Sequence, residues 1–416
     1  FYLRPRAITV TDAAGAPVDP YSIGSYAVTQ TSANPLTNHD RQQGAYTNLG
    51  RTFALRLPVT VKAGLDVRRN EREARRGDYT WAFVGADGRG TTAPAGGDDI
   101  ATPYFAPGYS RRDMPFGFPR VQWLDNEKLW SHYKANPGHL VFNENAAYRS
   151  DVLRSRATSE VISSAFVRGD LAALDRRLRL VGGIRAEQTN TLAFGPLNDP
   201  SLNYRRDAAG NVILTNGRPV PIVANTNSLE YSKLTYRDRG ARAEKEYLRW
   251  FPSLNASYDL RENLIARAAY YHSIGRPSFE QYAGGLNLPD ETSPPGPTNR
   301  ISVNNAAIKP WTARSFSARL EYYFAGVGQV SLGGFVRQFR NFFGETTFPA
   351  TPAFLSLYAL DAETFGAYDV ATQHNIQSTV RMTGFDFSYK QALTFLPSWA
   401  RGVQAFANFS SQRPTG

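Results

Sequence analysis

The side chains with the widest chemistry are sparse and poorly grouped. Five histidines, His39, His132, His139, His272 and His374, match no metal-ligand spacing. His132 and His139 are seven residues apart across Pro137-Gly138, a weak loop pair for a metal that wants three or four ligands. There is no cysteine, which removes a thiolate nucleophile, a disulfide framework and a Cys-ligated metal together. No His-Glu-x-x-His, Gly-x-Ser-x-Gly, Walker or Gly-x-Gly-x-x-Gly motif occurs, and GVGQVS at 326–331 lacks the third glycine. Asp98-Asp99 and Asp290-Glu291 have the chemistry of calcium ligands, although such loop acids are more commonly just solvated. No enzyme, metal or cofactor is expected.

Two other groups of residues point to binding. Segment 104–130 is rich in aromatic rings, and Tyr104, Phe105, Tyr109, Trp123 and Trp130 either pack the segment on itself or stack on a ligand. Arg267, Arg319, Glu321, Arg337 and Asp386 stand on the charged side of segments that are apolar on the other side. Basic residues exceed acidic ones, 47 to 36, a net charge of +11, and forty of the 47 are arginine. They are dispersed, often beside acids, as in RRNEREARRGD (68–78), so no nucleic-acid partner is expected.

The elements that must carry these residues are strands. Period-two alternation recurs: in SFSARLEYYF, Phe316, Ala318, Leu320, Tyr322 and Phe324 oppose Ser315, Ser317, Arg319, Glu321 and Tyr323. The same holds for SLNASYDL, LIARAAYY, VKAGLDVRRN, RLRLVGGIRAE and TGFDFSYK. Ten strands are predicted, near 45–57, 60–73, 158–169, 177–193, 248–260, 264–274, 312–324, 329–343, 376–391 and 402–411, with 1–10 and 23–31 as candidates for more. Short links alternate with long polar ones at about 74–157, 194–247, 275–311 and 344–375. Within these, 125–136 reads as a helix capped by Asp125, and 207–220 as a hairpin turning at Asn216-Gly217. A soluble β-sandwich has shorter strands and short turns throughout. Long one-sided strands, aromatic residues at their ends and long loops on alternate connections predict an all-β, antiparallel transmembrane barrel with long extracellular loops. The mean hydropathy of −0.41 does not oppose this, because each strand is apolar on one face only.

WFPSLNASYDLRENLIARAAYYHSIGRPSF (250–279) resembles the barrel of TonB-dependent outer-membrane receptors. IKP (308–310), VSLGGFVRQFRNFF (330–343), TGFDFSYKQALTFLP (383–397) and the upstream LRLVGGIRAEQT follow that family's order, so the resemblance runs from about residue 50 to the end. It implies active, TonB-coupled uptake of a scarce nutrient across a bacterial outer membrane, whether siderophore, oligosaccharide or a cobalamin-like ligand. It implies as partners the TonB-ExbB-ExbD motor acting through a plug, outer-membrane lipid and lipopolysaccharide, and an extracellular small-molecule or glycan ligand. The five charged residues above would then line the lumen. A family barrel has about 22 strands. With neither plug nor terminal aromatic residue, residues 1–416 are expected to be part of one barrel, incomplete at both ends, with about 10–12 strands and an aggregating tendency from two unpaired edges. The rival reading is a passive porin or barrel adhesin without energy coupling.

Overall fold

The computed structural model describes residues 8–90, 97–289, 293–303, 308–324, 327–357, 360, 362–400 and 402–415. The chain forms two compact units. The smaller comprises Phe1–Leu36, Arg76–Asp151 and Asn225–Lys233; the larger comprises Thr37–Arg75, Val152–Ala224 and Leu234–Gly416.

The larger unit is a curled antiparallel sheet. Its ten wall strands are β1 (Leu36–Phe53), β2 (Val59–Arg76), β3 (Arg156–Ala173), β4 (Leu178–Asn198), β5 (Tyr236–Arg261), β6 (Leu264–Gly275), β7 (Trp311–Tyr323), β8 (Gly328–Arg340), β9 (Val380–Ala392) and β10 (Gln404–Thr415). Each pairs with the next along the chain. Short and long connections alternate, so in an antiparallel meander every long one leaves from the same end. The short links are tight: β3 returns into β4 through Leu174, Asp175 and Arg176, all at positive φ. The long ones hold 77–155, 199–235, 276–310 and 341–379.

The two faces of the wall have opposite chemistry. Leu254, Phe316, Leu320, Leu332 and Phe385 share one face and are 45–58% exposed, whereas Ser315 and Ser331 on the other are only 3% and 6% exposed. A water-soluble sheet buries its apolar face; here that face is outermost, as lipid contact requires. Aromatic pairs mark both strand ends: Tyr322 with Phe324 and Phe324 with Tyr389 at the short-turn end, Trp311 with Phe339 and Phe339 with Phe342 at the other. Among the described residues, no helix is long and apolar enough to cross a membrane.

Several boundaries differ from the sequence reading. β4 and β5 run past the expected ends, to Asn198 and from Tyr236, pairing Thr191 with Lys245 and Asn198 with Tyr236. The described residues of the segments 1–10 and 23–31 add nothing to the wall. Residues 1–7 lie outside the described residues, Val10–Thr11 pairs with Pro17–Val18, and Gln30–Ala33 pairs with Tyr79–Ala82. Four further strands, Leu286–Asn287, Ile301–Val303, Phe343–Pro349 and Asp369–Asn375, extend the sheet from the Asn198 end of β4. With Ala241 and Ala243 they enclose an apolar cluster of Leu286, Ile301, Val303, Phe354, Leu355 and Val370. The hairpin at 207–220 forms as expected, Leu214–Thr215 against Arg218–Pro219, with Asn216 and Gly217 at φ 52° and 73°.

The smaller unit packs a three-stranded sheet, Gln30–Ala33, Tyr79–Phe83 and Leu140–Phe142, against helix α1 (Asn126–Ala135). Asp125 caps the helix as expected, its carboxylate accepting the N–H groups of Glu127 and Lys128. Val28, Phe83, Leu129 and Leu140 fill the core.

Candidate functional site

Side chains two apart on a strand share a face, so the charged residues of neighbouring wall strands necessarily meet. The register sets Arg267 of β6 opposite Arg319 of β7, a repulsive arrangement unless each guanidinium has its own acid. Each has one. Arg267 Nε donates to Glu321 at 2.9 Å, and Arg319 Nη2 donates to Asp386 on β9 at 2.8 Å. Tyr323 OH donates to Glu321 at 3.0 Å, and Arg337 lies 4.7 Å from the centre of the Phe335 ring. All five of the predicted wall residues, Arg267, Arg319, Glu321, Arg337 and Asp386, border a single cavity of about 560 Å³.

A second charged chain was not singled out from the sequence. Asp66 of β2 accepts Arg68 Nη2 at 2.6 Å and Arg185 Nη2 of β4 at 3.2 Å. Glu187 accepts Arg185 Nε and Arg276 Nη2, both at 2.6 Å. Five charges are thereby linked across strands, and the side chains of Asp66, Arg185, Glu187 and Arg276 are only 14–24% exposed. The signal was available in RLRLVGGIRAE, where alternation places Arg185 and Glu187 on the charged face, while Arg276 follows β6 in the Arg276-Pro277 pair.

The aromatic segment lies in the smaller unit, and its predicted residues separate. Tyr104 is 5% exposed, its ring 6.2 Å from Phe83 and 5.6 Å from His132, and burial raises its phenol pKa. Tyr104 is therefore a core residue, and Phe105 packs on the same core. Tyr109, Trp123 and Trp130 are 58%, 47% and 57% exposed. Arg112 sits 4.1 Å over the Tyr109 ring. Trp130 lies 5.4 Å from Tyr133, and the two rings together with Trp81 border a cavity of about 590 Å³. Tyr109 and Trp123 do not border it.

His132 Nε2 and His139 Nδ1 are 3.1 Å apart, so one ring donates to the other. Burial first, then the neighbouring His139, lowers the His132 pKa. Asp98 accepts the N–H groups of Ala86 and Asp87, which lowers its pKa and closes the turn beside Gly85. Asp290 and Glu291 lie outside the described residues. Among the described residues, no three His, Asp or Glu side chains gather as metal ligands would.

No curated protein matches the sequence. Among solved structures, the chain is similar to the ferric-catecholate import receptor Fiu from E. coli K12 in its closed form, at 15% identity and a TM-score of 0.45, covering 91% of this chain and 38% of that one. It is similar to the unliganded ferric citrate transporter FecA at 11% identity and a TM-score of 0.41, covering 93% and 37%. It is also similar to BauA, the ferric preacinetobactin receptor from Acinetobacter baumannii, at 10% identity and a TM-score of 0.40, covering 93% and 38%. The chain thus spans well under half the length of each of these structures. The family described as TonB dependent receptor-like, beta-barrel matches residues 4–415. A curled sheet with an apolar outer face, aromatic strand ends and a charged inner wall is what such a barrel requires, and the chain belongs to this family of outer-membrane receptors.

Proposed function

We propose that the whole protein takes up a scarce nutrient across the outer membrane with energy drawn from TonB. The observation that carries this reading is the family match over residues 4–415. The long connections 77–155, 199–235, 276–310 and 341–379 face outside and receive the ligand. The charged inner wall, with Arg267, Arg319, Glu321, Arg337 and Asp386, lines the lumen and contacts the plug. The TonB-ExbB-ExbD motor pulls on that plug and opens the path. Arg267 and Arg319, already paired with Glu321 and Asp386 across strands, present charge on that wall without standing as unpaired ions. The barrel performs no bond chemistry in this scheme.

The test is accumulation of labelled ligands by cells expressing the full-length protein, with and without tonB. Ferric catecholate, cobalamin and a neutral oligosaccharide mixture serve as probes. Accumulation of at least one that stops on deletion of tonB is expected. Accumulation indifferent to tonB makes the barrel a passive porin and overturns the proposal, as does accumulation of none.

A further inference from the structure

The cavity beside Trp130 differs in chemistry from the rest of the molecule. Fourteen residues border it and none is charged, in a chain with forty arginines. Its volume of about 590 Å³ lies within the usual range for small-molecule sites. One side is aromatic: the Trp130 and Tyr133 rings lie 30° from parallel, and Trp81 approaches Tyr133 at 6.3 Å. The other side is a strand edge. Phe83 N–H donates to Thr29 O at 3.0 Å, which sets the parity of the pairing between Gln30–Ala33 and Tyr79–Ala82. Thr31 and Ala33 therefore direct their backbone groups to that neighbour, while the N–H and C=O groups of Gln30 and Ser32 point along the opposite edge. Among the described residues that edge has no strand partner. Asn126, at the start of α1, completes the border.

We infer that this cleft binds a neutral saccharide. A sugar ring has flat C–H faces and a rim of hydroxyls that both donate and accept. The faces pack on the Trp130 and Tyr133 rings, and the rim pairs with the outward backbone groups of Gln30 and Ser32 and with the Asn126 amide. An anionic iron chelate calls for a cluster of guanidinium or ammonium groups; no charged residue lines the cleft, and the Lys134 ammonium beside it, 5.8 Å from the centre of the Trp130 ring, is engaged with that ring. A peptide adding a strand would find only two outward-facing residues on a four-residue edge, too short a ladder for that mode. The inference rests on the nutrient-uptake reading and names its substrate class.

The test uses the full-length receptor in detergent. Maltohexaose, cellohexaose and xylohexaose are titrated by calorimetry, with a ferric catecholate and an uncharged decapeptide as contrasts. At least one saccharide is expected to bind. Trp130→Ala should weaken that binding about five- to tenfold, while Trp130→Phe stays within about twofold of the parent. Binding of none of the saccharides, affinity unmoved by Trp130→Ala, or Trp130-dependent capture of the chelate or peptide instead would overturn the inference. The two readings fail separately. Saccharide binding with uptake indifferent to tonB leaves the cleft and removes the coupling. TonB-dependent uptake of a chelate, untouched by Trp130→Ala, does the reverse.

Discussion

Arg319 and Asp386 form an ion pair across a strand that separates them. Arg319 of β7 registers with Gly333 of β8, and Gly333 registers with Asp386 of β9, yet Nη2 and Oδ2 are 2.8 Å apart. Strands two apart are separated by roughly 10 Å, so the pair needs both a long arginine and an empty position between. A Cβ at residue 333 would lie 2.9 Å from Asp386 Oδ2. Gly333→Ala should therefore push the carboxylate aside. With the Arg319 and Asp386 side chains 48% and 28% exposed, a double-mutant cycle is expected to give a coupling of about 0.2–1 kcal/mol in the parent protein. In the Gly333→Ala background it should fall to about zero. An unchanged coupling would show that the glycine is incidental.

Two of the wall carboxylates that serve arginines from neighbouring elements should not cost the same to neutralise. Glu187 holds both Arg185 and Arg276, and all three side chains are at most 24% exposed. Glu321 holds Arg267, whose side chain is 47% exposed. Glu187→Gln takes from Arg276 the carboxylate it donates to in a sheltered place and is expected to destabilise by about 1–3 kcal/mol. Glu321→Gln should cost at most about 1 kcal/mol, because water reaches Arg267. Urea unfolding of the refolded full-length barrel measures both; equal losses would argue that shelter does not decide the ranking.

What was legible from sequence follows from where a strand must be apolar. Within the membrane one face has to be hydrophobic, so SFSARLEYYF and LIARAAYY announce β7 and β6 directly. Beyond the membrane a strand needs only backbone partners. RDRGARAEKE, at 237–246, offers only Ala241 and Ala243 as apolar side chains and reads as a loop, yet it pairs residue by residue with β4 through Ala241↔Gly195 to Glu246↔Asn190. A break in register between Arg237 and Ala241, with Arg239 at φ 55°, accommodates the extra residues. Partner choice was equally hidden. Alternation placed Arg267, Arg319, Glu321 and Asp386 on one face, but which acid serves which arginine depends on the inter-strand register and on the gap at Gly333. Composition alone cannot separate a ring that fills a loop's own core, as Tyr104 does, from one that waits for a ligand.

The β3–β4 turn contains a correctable strain. Leu174, Asp175 and Arg176 have φ of 52°, 53° and 66°, a left-handed region that costs a residue with a Cβ about 1–2 kcal/mol. Aspartate tolerates it better than most, but arginine has no local hydrogen bond to offset it. Arg176→Gly is expected to stabilise the hairpin by about 0.5–1 kcal/mol, and Arg176→Val to destabilise it by at least as much. Opposite shifts in unfolding midpoint, with Leu174 and Asp175 left alone, are the signature. Two shifts of the same sign would place the effect elsewhere.

His132 is packed between Phe83 and Tyr104, and burial together with His139 lowers its pKa below the ordinary 6.5. The folded unit therefore holds fewer protons than the unfolded chain as the pH falls through that value. Stability is then fully present above about pH 6.5 and declines below it, because the buried ring resists the proton that the unfolded chain takes up. The hydrogen bond between the two rings also survives only while one of them can accept. Amide hydrogen exchange across Asn126–Ala135, corrected for intrinsic rate, should show protection at about pH 7.5 that weakens at about pH 5.5. His139→Gln removes the second ring's positive charge, so the fall should shrink; burial, the larger cause, keeps it from vanishing. Protection of this helix that does not change with pH would mean that the His132 ring does not resist its proton, and its packing between Phe83 and Tyr104 would then carry no electrostatic cost.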